Sequence, residues 1–394
     1  MIRAYRFRLY PSQTQSEAMI HHLWLSKELW NRMLEHCKNT FKSEHRFPTK
    51  KELREVAKHQ GLYSQVAQEL VDRLQESVIR YFQLRRRGAK CGFPRFKSFH
   101  RMKSLCYPQM GFKLSDSKLR VTPFGEIRLK LHRIPKGRIK TLVLKREPSG
   151  RWFGILTSEG DEKRVDTNQG SEVGIDLGLT KLAVVSDGTI IPNPRHLKKY
   201  EDKIAILGRR LSKKKKGSRN REKARVKLSR TYEKLGNARR DFLHKVSHSF
   251  VRKYSLVALE DLSPKNMVQN HFGKQINDAG WYTLANMLCY KAGSAGCRVV
   301  FVDPRGTSQE CSRCGGIIKK GLQDRIHECP YCGLVMDRDL NAAHNILKRA
   351  TAGHAERDAC GVATEVSTMK QEAHTYSQVG ACHRSKRYNL MIPI

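Results

Sequence analysis

Four cysteines, Cys311, Cys314, Cys329 and Cys332, form two Cys-x2-Cys pairs with fourteen residues between them. Each pair has glycine close behind it, Gly315-Gly316 or Gly333, so each can turn as a knuckle that points two thiolates at one ion. Four thiolates make the closed tetrahedral shell of a structural zinc site. Closure leaves no position for substrate, so that ion is not the catalyst. The bland alternative is four reduced cysteines without metal. His327 is near enough in sequence to compete as a ligand, although four sulfurs already fill the shell. A second constellation is acidic. Asp176 sits among apolar residues of a strand, where a charge is costly unless paired or metal-bound. Glu260 ends the apolar run 255–259, at the strand end where open α/β sheets collect ligands. Asp339 opens a helix. Taken singly, the three read equally as a turn residue, a surface carboxylate and an N-cap. In the order strand, later strand, helix, they make the constellation of a two-metal phosphodiester hydrolase. Hard oxygen ligands there hold a pair of Mg²⁺ ions.

Charge says what such a site would meet. The 394 residues carry 76 Lys and Arg against 37 Asp and Glu, a formal net charge of +39. That excess persists when a polyanion neutralises it, so the expected partner is nucleic acid. Residues 198–245 hold nineteen of these cations and five acids. The densest stretch contains Lys213, Lys214, Lys215, Lys216, Arg219 and Arg221. A solvated helix face is the bland reading, and phosphate contact the favoured one. Arg95, Lys97, Arg101 and Lys103 are further backbone contacts suggested by composition alone. No apolar run reaches the length of a membrane span. The first ten residues contain no signal-peptide core. Eleven cysteines with one tight cluster fit a reducing compartment, and a cytoplasmic protein is expected.

The positioning elements follow from periodicity. Residues 1–10 alternate as a strand, then Ser12 and Gln15 form a capping box that starts a helix. Leu23, Trp24, Trp30, Met33 and Leu34 recur at helical spacing, and a second helical stretch spans residues 50–86. Short strands are expected at 118–121, 126–131, 140–145 and 151–157, followed by a polar linker at 161–170. Strands at 173–177, 181–186 and 189–191 open an α/β region, with Asp187-Gly188 as a hairpin turn. A long basic helical region, a strand at 255–259, a helix at 280–295 and a strand at 298–302 come next. A last helix begins at Asp339, and the pattern fades after residue 350.

These motifs, in this order, resemble the TnpB (OrfB) family of transposon-encoded RNA-guided nucleases, relatives of the type V CRISPR effectors. The resemblance is carried by Gly92-Phe93-Pro94-Arg95-Phe96, Gly174-Ile175-Asp176-Leu177-Gly178 and Leu259-Glu260-Asp261-Leu262. Thr307-Ser308-Gln309-Glu310-Cys311, Cys329-Pro330-Tyr331-Cys332-Gly333 and Asp337-Arg338-Asp339-Leu340-Asn341 complete it. It implies an α/β RNase H-like (RuvC-type) nuclease core at 171–306 and 336–350, with a zinc-ribbon target-loading module inserted at 307–335. An N-terminal wedge β-barrel would occupy 1–10 and 91–165, with a helical recognition insertion at 11–90 and a weakly structured tail at 351–394. Carried over residue by residue, Asp176, Glu260 and Asp339 are the catalytic, Mg²⁺-binding triad, Asp337 being the runner-up for the third place. Cys311, Cys314, Cys329 and Cys332 hold zinc. The implied activity is RNA-guided DNA cleavage, with guide RNA and target DNA as partners. Three other readings stand beside it: a transposase performing strand transfer, a guide-directed repressor that does not cut, and a zinc-ribbon nucleic-acid-binding protein without guide. Whether one chain or two act together stays open.

Overall fold

The computed structural model describes residues 2–58, 61–160, 167–262, 272–321, 323–352 and 355–358. These fall into two compact units, one ending at Gly160 and one beginning at Thr167. Among the described residues no helix is long and apolar enough to cross a membrane.

In the first unit, β1 (Ile2–Tyr10) buries Tyr5, Phe7 and Leu9 on one face, as its alternation requires. The capping box of Ser12 and Gln15 then starts α1 (Gln13–Glu44). Helices α2 (Lys50–Ala57) and α3 (Ser64–Arg86) replace the single helix expected over 50–86. The break includes Lys58 in extended backbone and Gly61 at φ +68°, a left-handed conformation that side chains resist. Trp24 does not join the core of α1; it is 44% exposed, one position round the helix from buried Leu23.

Six further strands are β2 (Ser104–Tyr107), β3 (Phe112–Ser115), β4 (Lys118–Val121), β5 (Gly125–Lys130), β6 (Arg138–Arg146) and β7 (Trp152–Glu159). The sheet order is β2-β6-β7-β1-β5-β4-β3, with β1 antiparallel to both β5 and β7. Among the described residues β2 and β3 are not paired with each other, so the strands form an open row. Strands β2 and β3 are too short for their alternation to stand out in the sequence.

In the second unit, β8 (Ser171–Leu177), β9 (Lys181–Val185) and β10 (Ile190–Pro192) form an antiparallel run. Helices α4 (His196–Ser212) and α5 (Arg219–Lys253) follow, and α5 passes directly into β11 (Tyr254–Glu260). Next come α6 (Gly273–Ala279), α7 (Trp281–Ala292) and β12 (Arg298–Val302). A hairpin, β13 (Ile326–Glu328) with β14 (Val335–Asp337), leads into α8 (Arg338–Thr351) and the short β15 (Ala355–Asp358). The six-stranded sheet has the order β10-β9-β8-β11-β12-β15. Strand β11 is parallel to both β8 and β12.

The central strands are apolar on both sides because both faces are covered. Val173, Ile175, Val257, Leu259, Val299 and Phe301 meet α5 and α7. Leu256, Ala258, Val300 and Val302 meet Ile346 and Ala350 of α8. The chain does not lose its structure at 351: α8 runs to Thr351, and β15 pairs antiparallel with β12. The rest of the expected tail, 359–394, and linker positions 161–166 lie outside the described residues.

Candidate active site and metal centre

Register brings two of the three carboxylates together. Ile175 of β8 is paired with Leu259 of β11, so Asp176 and Glu260 follow side by side at the carboxyl ends of adjacent parallel strands. Alternation also selects their face. Ile175 and Leu259 point to the α5–α7 side, so Asp176 and Glu260 point to the α8 side.

Helix α8 reaches that face because Gly174 leaves room for it. A Cβ on Gly174 would lie 2.1 Å from the Ala343 carbonyl oxygen and 2.6 Å from the Leu347 nitrogen. The close approach brings Asp339, in the first turn of α8, into electrostatic contact with Asp176. The neighbouring Asp337 has a different task. Its Oδ1 accepts from the backbone N–H groups of Asp339 (2.8 Å) and Leu340 (3.3 Å), as an N-cap does. Its Oδ2 accepts from Lys181 Nζ at 2.8 Å, and it is held below the ordinary aspartate range. Both oxygens of Asp337 are thus engaged.

The site gathers negative charge that is offset in part by Arg338, whose Nε lies 3.6 Å from Asp339 Oδ1. Burial pushes Asp176 up to about 7, and the charges of Glu260, Asp339 and Asp337 push the same way, while Arg338 opposes them. Glu260 is also raised by burial, against a hydrogen bond from Thr307 and the charge of Arg349. Thr307 Oγ1 donates to Glu260 Oε1 at 2.6 Å. Arg349 is held by Glu310 at 2.9 Å and donates to the carbonyls of Asp303 and Arg305. All three carboxylates offer oxygen donors, a set that suits a hard divalent cation.

All four cysteine sulfurs lie within 4.8 Å of one another. Cys311 and Cys332 are 3.6 Å apart, and Cys314 and Cys329 are 3.5 Å apart. A tetrahedron with Zn–S of about 2.3 Å has edges of about 3.8 Å, so the cage fits zinc. Each pair closes a knuckle: Gly315 N–H donates to the Cys311 carbonyl and Gly333 N–H to the Cys329 carbonyl, both glycines having positive φ. Burial raises the Cys329 thiol, but the N–H groups of Cys332 and Tyr331 outweigh it and bring it to about 6. Against the Leu334 N–H, the neighbouring sulfurs push Cys332 up to about 12. His327 is no competitor for the shell. It is fully buried behind Cys311, with Nδ1 against Lys320 Nζ.

Sequence reasoning did not assign roles to the residues that join the two centres. Asn341 and Asn345, one turn apart on α8, are both buried. Asn341 accepts from Ser312 N–H and donates to the Glu310 carbonyl; Asn345 donates to the carbonyls of Thr307 and Glu310. They fasten the strand end that carries Thr307 and the first knuckle to the helix that carries Asp339. Their i, i+4 spacing was a legible signal. The proposed phosphate contacts separate into two groups. Lys213, Lys214, Lys215, Lys216, Arg219 and Arg95 are exposed. Lys97 instead lies 3.1 Å from the centroid of the Trp30 ring, and burial followed by the charge of Arg73 lowers it to about 7. Arg221 is buried and donates to the carbonyls of Leu211 and Lys214. Those two side chains make packing and capping contacts within the chain.

The chain superposes on Cas12f1 from a Cas12f1–sgRNA–target DNA complex with TM-score 0.59 at 17% identity, over 85% of this chain and 83% of that one. Family models match residues 155–271 ("Probable transposase"), 281–346 ("Cas12f1-like, TNB domain") and 1–46 ("Helix-turn-helix domain"). A Streptomyces pristinaespiralis protein named "Putative RNA-guided DNA endonuclease" is 31% identical over 90% of each chain. InsQ of Escherichia coli K12, which carries the same description, is 32% identical over 78% of this chain and 79% of its own. The chain belongs to the TnpB (OrfB) family.

Proposed function

We propose that this protein is an RNA-guided DNA endonuclease whose cutting centre is Asp176, Glu260 and Asp339. The observation that carries this reading is the pairing of Asp176 and Glu260 at adjacent parallel strand ends, with α8 delivering Asp339 to the same face. Asp176, Glu260 and Asp339 would hold two Mg²⁺ ions, which supply activation of water and stabilisation of the departing oxygen. Thr307 orients Glu260 by fixing one of its oxygens and leaving the other for the metal side. The N-terminal turn of α8 favours a carboxylate at Asp339. Cys311, Cys314, Cys329 and Cys332 would hold one structural zinc, and Asn341 and Asn345 tie that module to the cutting centre.

In the finer architecture, the second unit is a RuvC-type core with residues 307–335 as a target-loading zinc ribbon. The first unit is a wedge sheet with a helical recognition insertion. The partners are a guide RNA and a target DNA; the S. pristinaespiralis and E. coli relatives support both by name. The guide selects the target by base pairing, so the protein itself needs to read only backbone shape and a short flanking duplex. The test is to sequence RNA that copurifies with the chain, then offer a matched DNA target with Mg²⁺. Cleavage by the wild type, with Asp176→Ala binding the target but not cutting it, is expected. Absence of a discrete RNA, or loss of target binding in the variant, refutes the reading.

A further inference from the structure

Helices α4 and α5 project beyond the acidic edge of the sheet. Strand β10 is antiparallel to β9 and ends opposite Lys181, so α4 starts at the edge that bears Asp176. Arg239 of α5 is fastened at the same level. Asp278 accepts from Arg239 Nη2 at 2.6 Å and from the Leu197 backbone N–H, in the first turn of α4, at 2.9 Å. From Arg239 to Lys253 the helix covers about 21 Å, matching the roughly 20 Å of β11. The rest of α5, back to Arg219, therefore extends about 30 Å past the carboxylates. Helix α4 lies antiparallel to it through Leu207, Leu211 and Leu228.

The end of this arm is rigidly made. Arg221 caps α4 through the carbonyls of Leu211 (2.9 Å) and Lys214 (2.7 Å), and Ser218 caps α5 through the Arg221 N–H. Between the helices is a cleft of about 330 Å³ lined by Leu207, Arg210, Lys213, Lys214, Ala224 and Lys227. The four cations are exposed, and among the described residues none has a carboxylate partner. Lys227 also belongs to an exposed row on α5 with Lys223, Arg230 and Lys234, spaced i, i+4, i+7, i+11. An apolar floor with a cationic rim has the chemistry of a nucleotide site: a ribose or base face rests on Leu207 and Ala224, and phosphates meet the rim.

We propose that the tip of this arm anchors the guide RNA, one nucleotide in the cleft and neighbouring phosphates along the α5 row. The inference rests on the RNA-guided reading above. RNA is favoured over the DNA being cut because the cleft stands about 20 Å along the arm past the level of the carboxylates. A grip at that distance suits a strand that stays bound through turnover.

The test compares wild type with a variant carrying Arg210→Gln, Lys213→Gln, Lys214→Gln and Lys227→Gln, and with a charge-keeping variant carrying Lys213→Arg, Lys214→Arg and Lys227→Arg. The probe is the RNA that copurifies with the wild type, stripped and rebound across a salt series. Loss of four phosphate contacts should lower the slope of log K against log salt by about 3 and weaken binding at least about tenfold. The charge-keeping variant should rebind as the wild type does. Matching unfolding midpoints exclude a folding defect as the cause. Unchanged RNA retention and slope in the glutamine variant overturn the anchor, as does unchanged RNA retention with weakened DNA binding. A wild type that carries no RNA sinks the guided reading and the anchor together. An RNA-bearing wild type with an indifferent variant sinks the anchor alone.

Discussion

Replacing Asp176 by Asn should stabilise the metal-free protein while abolishing its activity. The ordinary aspartate proton affinity is exceeded because burial and three acidic neighbours raise Asp176 to about 7. A rise of about three powers of ten penalises the folded, charged form by about 4 kcal/mol. The amide avoids that penalty but brings its own desolvation cost of about 1–3 kcal/mol, so a net gain of about 1–3 kcal/mol is expected. For a unit of roughly 200 residues this raises the unfolding midpoint by several degrees.

The sign of the pH dependence follows from the raised value. Stability is undiminished below the unfolded-state value near 4, falls as pH rises from there, and levels off above about 7. The stabilisation of the variant should therefore be full at pH 8, shrink as pH falls, and give way near pH 4 to a small deficit, the amide's own desolvation cost. Calorimetry or a dye-monitored melt in Mg²⁺-free buffer, without chelator so that zinc stays in place, measures it. Saturating Mg²⁺ should close or reverse the gap, because the carboxylate charge then has a partner. An equal gap with and without Mg²⁺, no gap at pH 8, or a gap that grows toward acid would refute the reasoning.

Three other outcomes are expected. Asp339→Asn should slow single-turnover cleavage of a matched target by at least about a hundredfold. Asp337→Asn, which keeps an N-cap and loses the Lys181 ion pair, should cost less than about 1 kcal/mol and leave cleavage within severalfold. Gly174→Ala places a Cβ 2.1 Å from the Ala343 carbonyl oxygen. Lifting α8 should lower stability by about 3 kcal/mol in denaturant titrations and remove cleavage. Cys329→Ser should reduce zinc content, measured by elemental analysis, from one ion per chain to none, and open residues 307–335 to limited proteolysis.

Much of this protein is written locally. The cysteine spacing alone predicts a closed metal cage, because two knuckles with glycine behind them need no distant residue to form. The +39 charge excess and its concentration in 198–245 are matters of counting, and they anticipate a polyanion before any geometry is known. The capping box at Ser12 and the alternation of Tyr5, Phe7 and Leu9 likewise depend only on neighbours along the chain.

Other features needed the fold. The partner of Asp337 is Lys181, a residue far away in sequence that occupies one of its oxygens. Arg221 and Lys97 look like their exposed neighbours in the sequence. Burial against helix-end carbonyls or an indole ring takes them out of the basic surface. The facing of Asp176 and Glu260 is a property of parallel register between strands separated by two helices, and Gly174 matters only because α8 lies on it. Composition and spacing determine which chemistry the chain carries. Which side chains meet is decided by long-range pairing and burial, physical terms that no local window of residues contains.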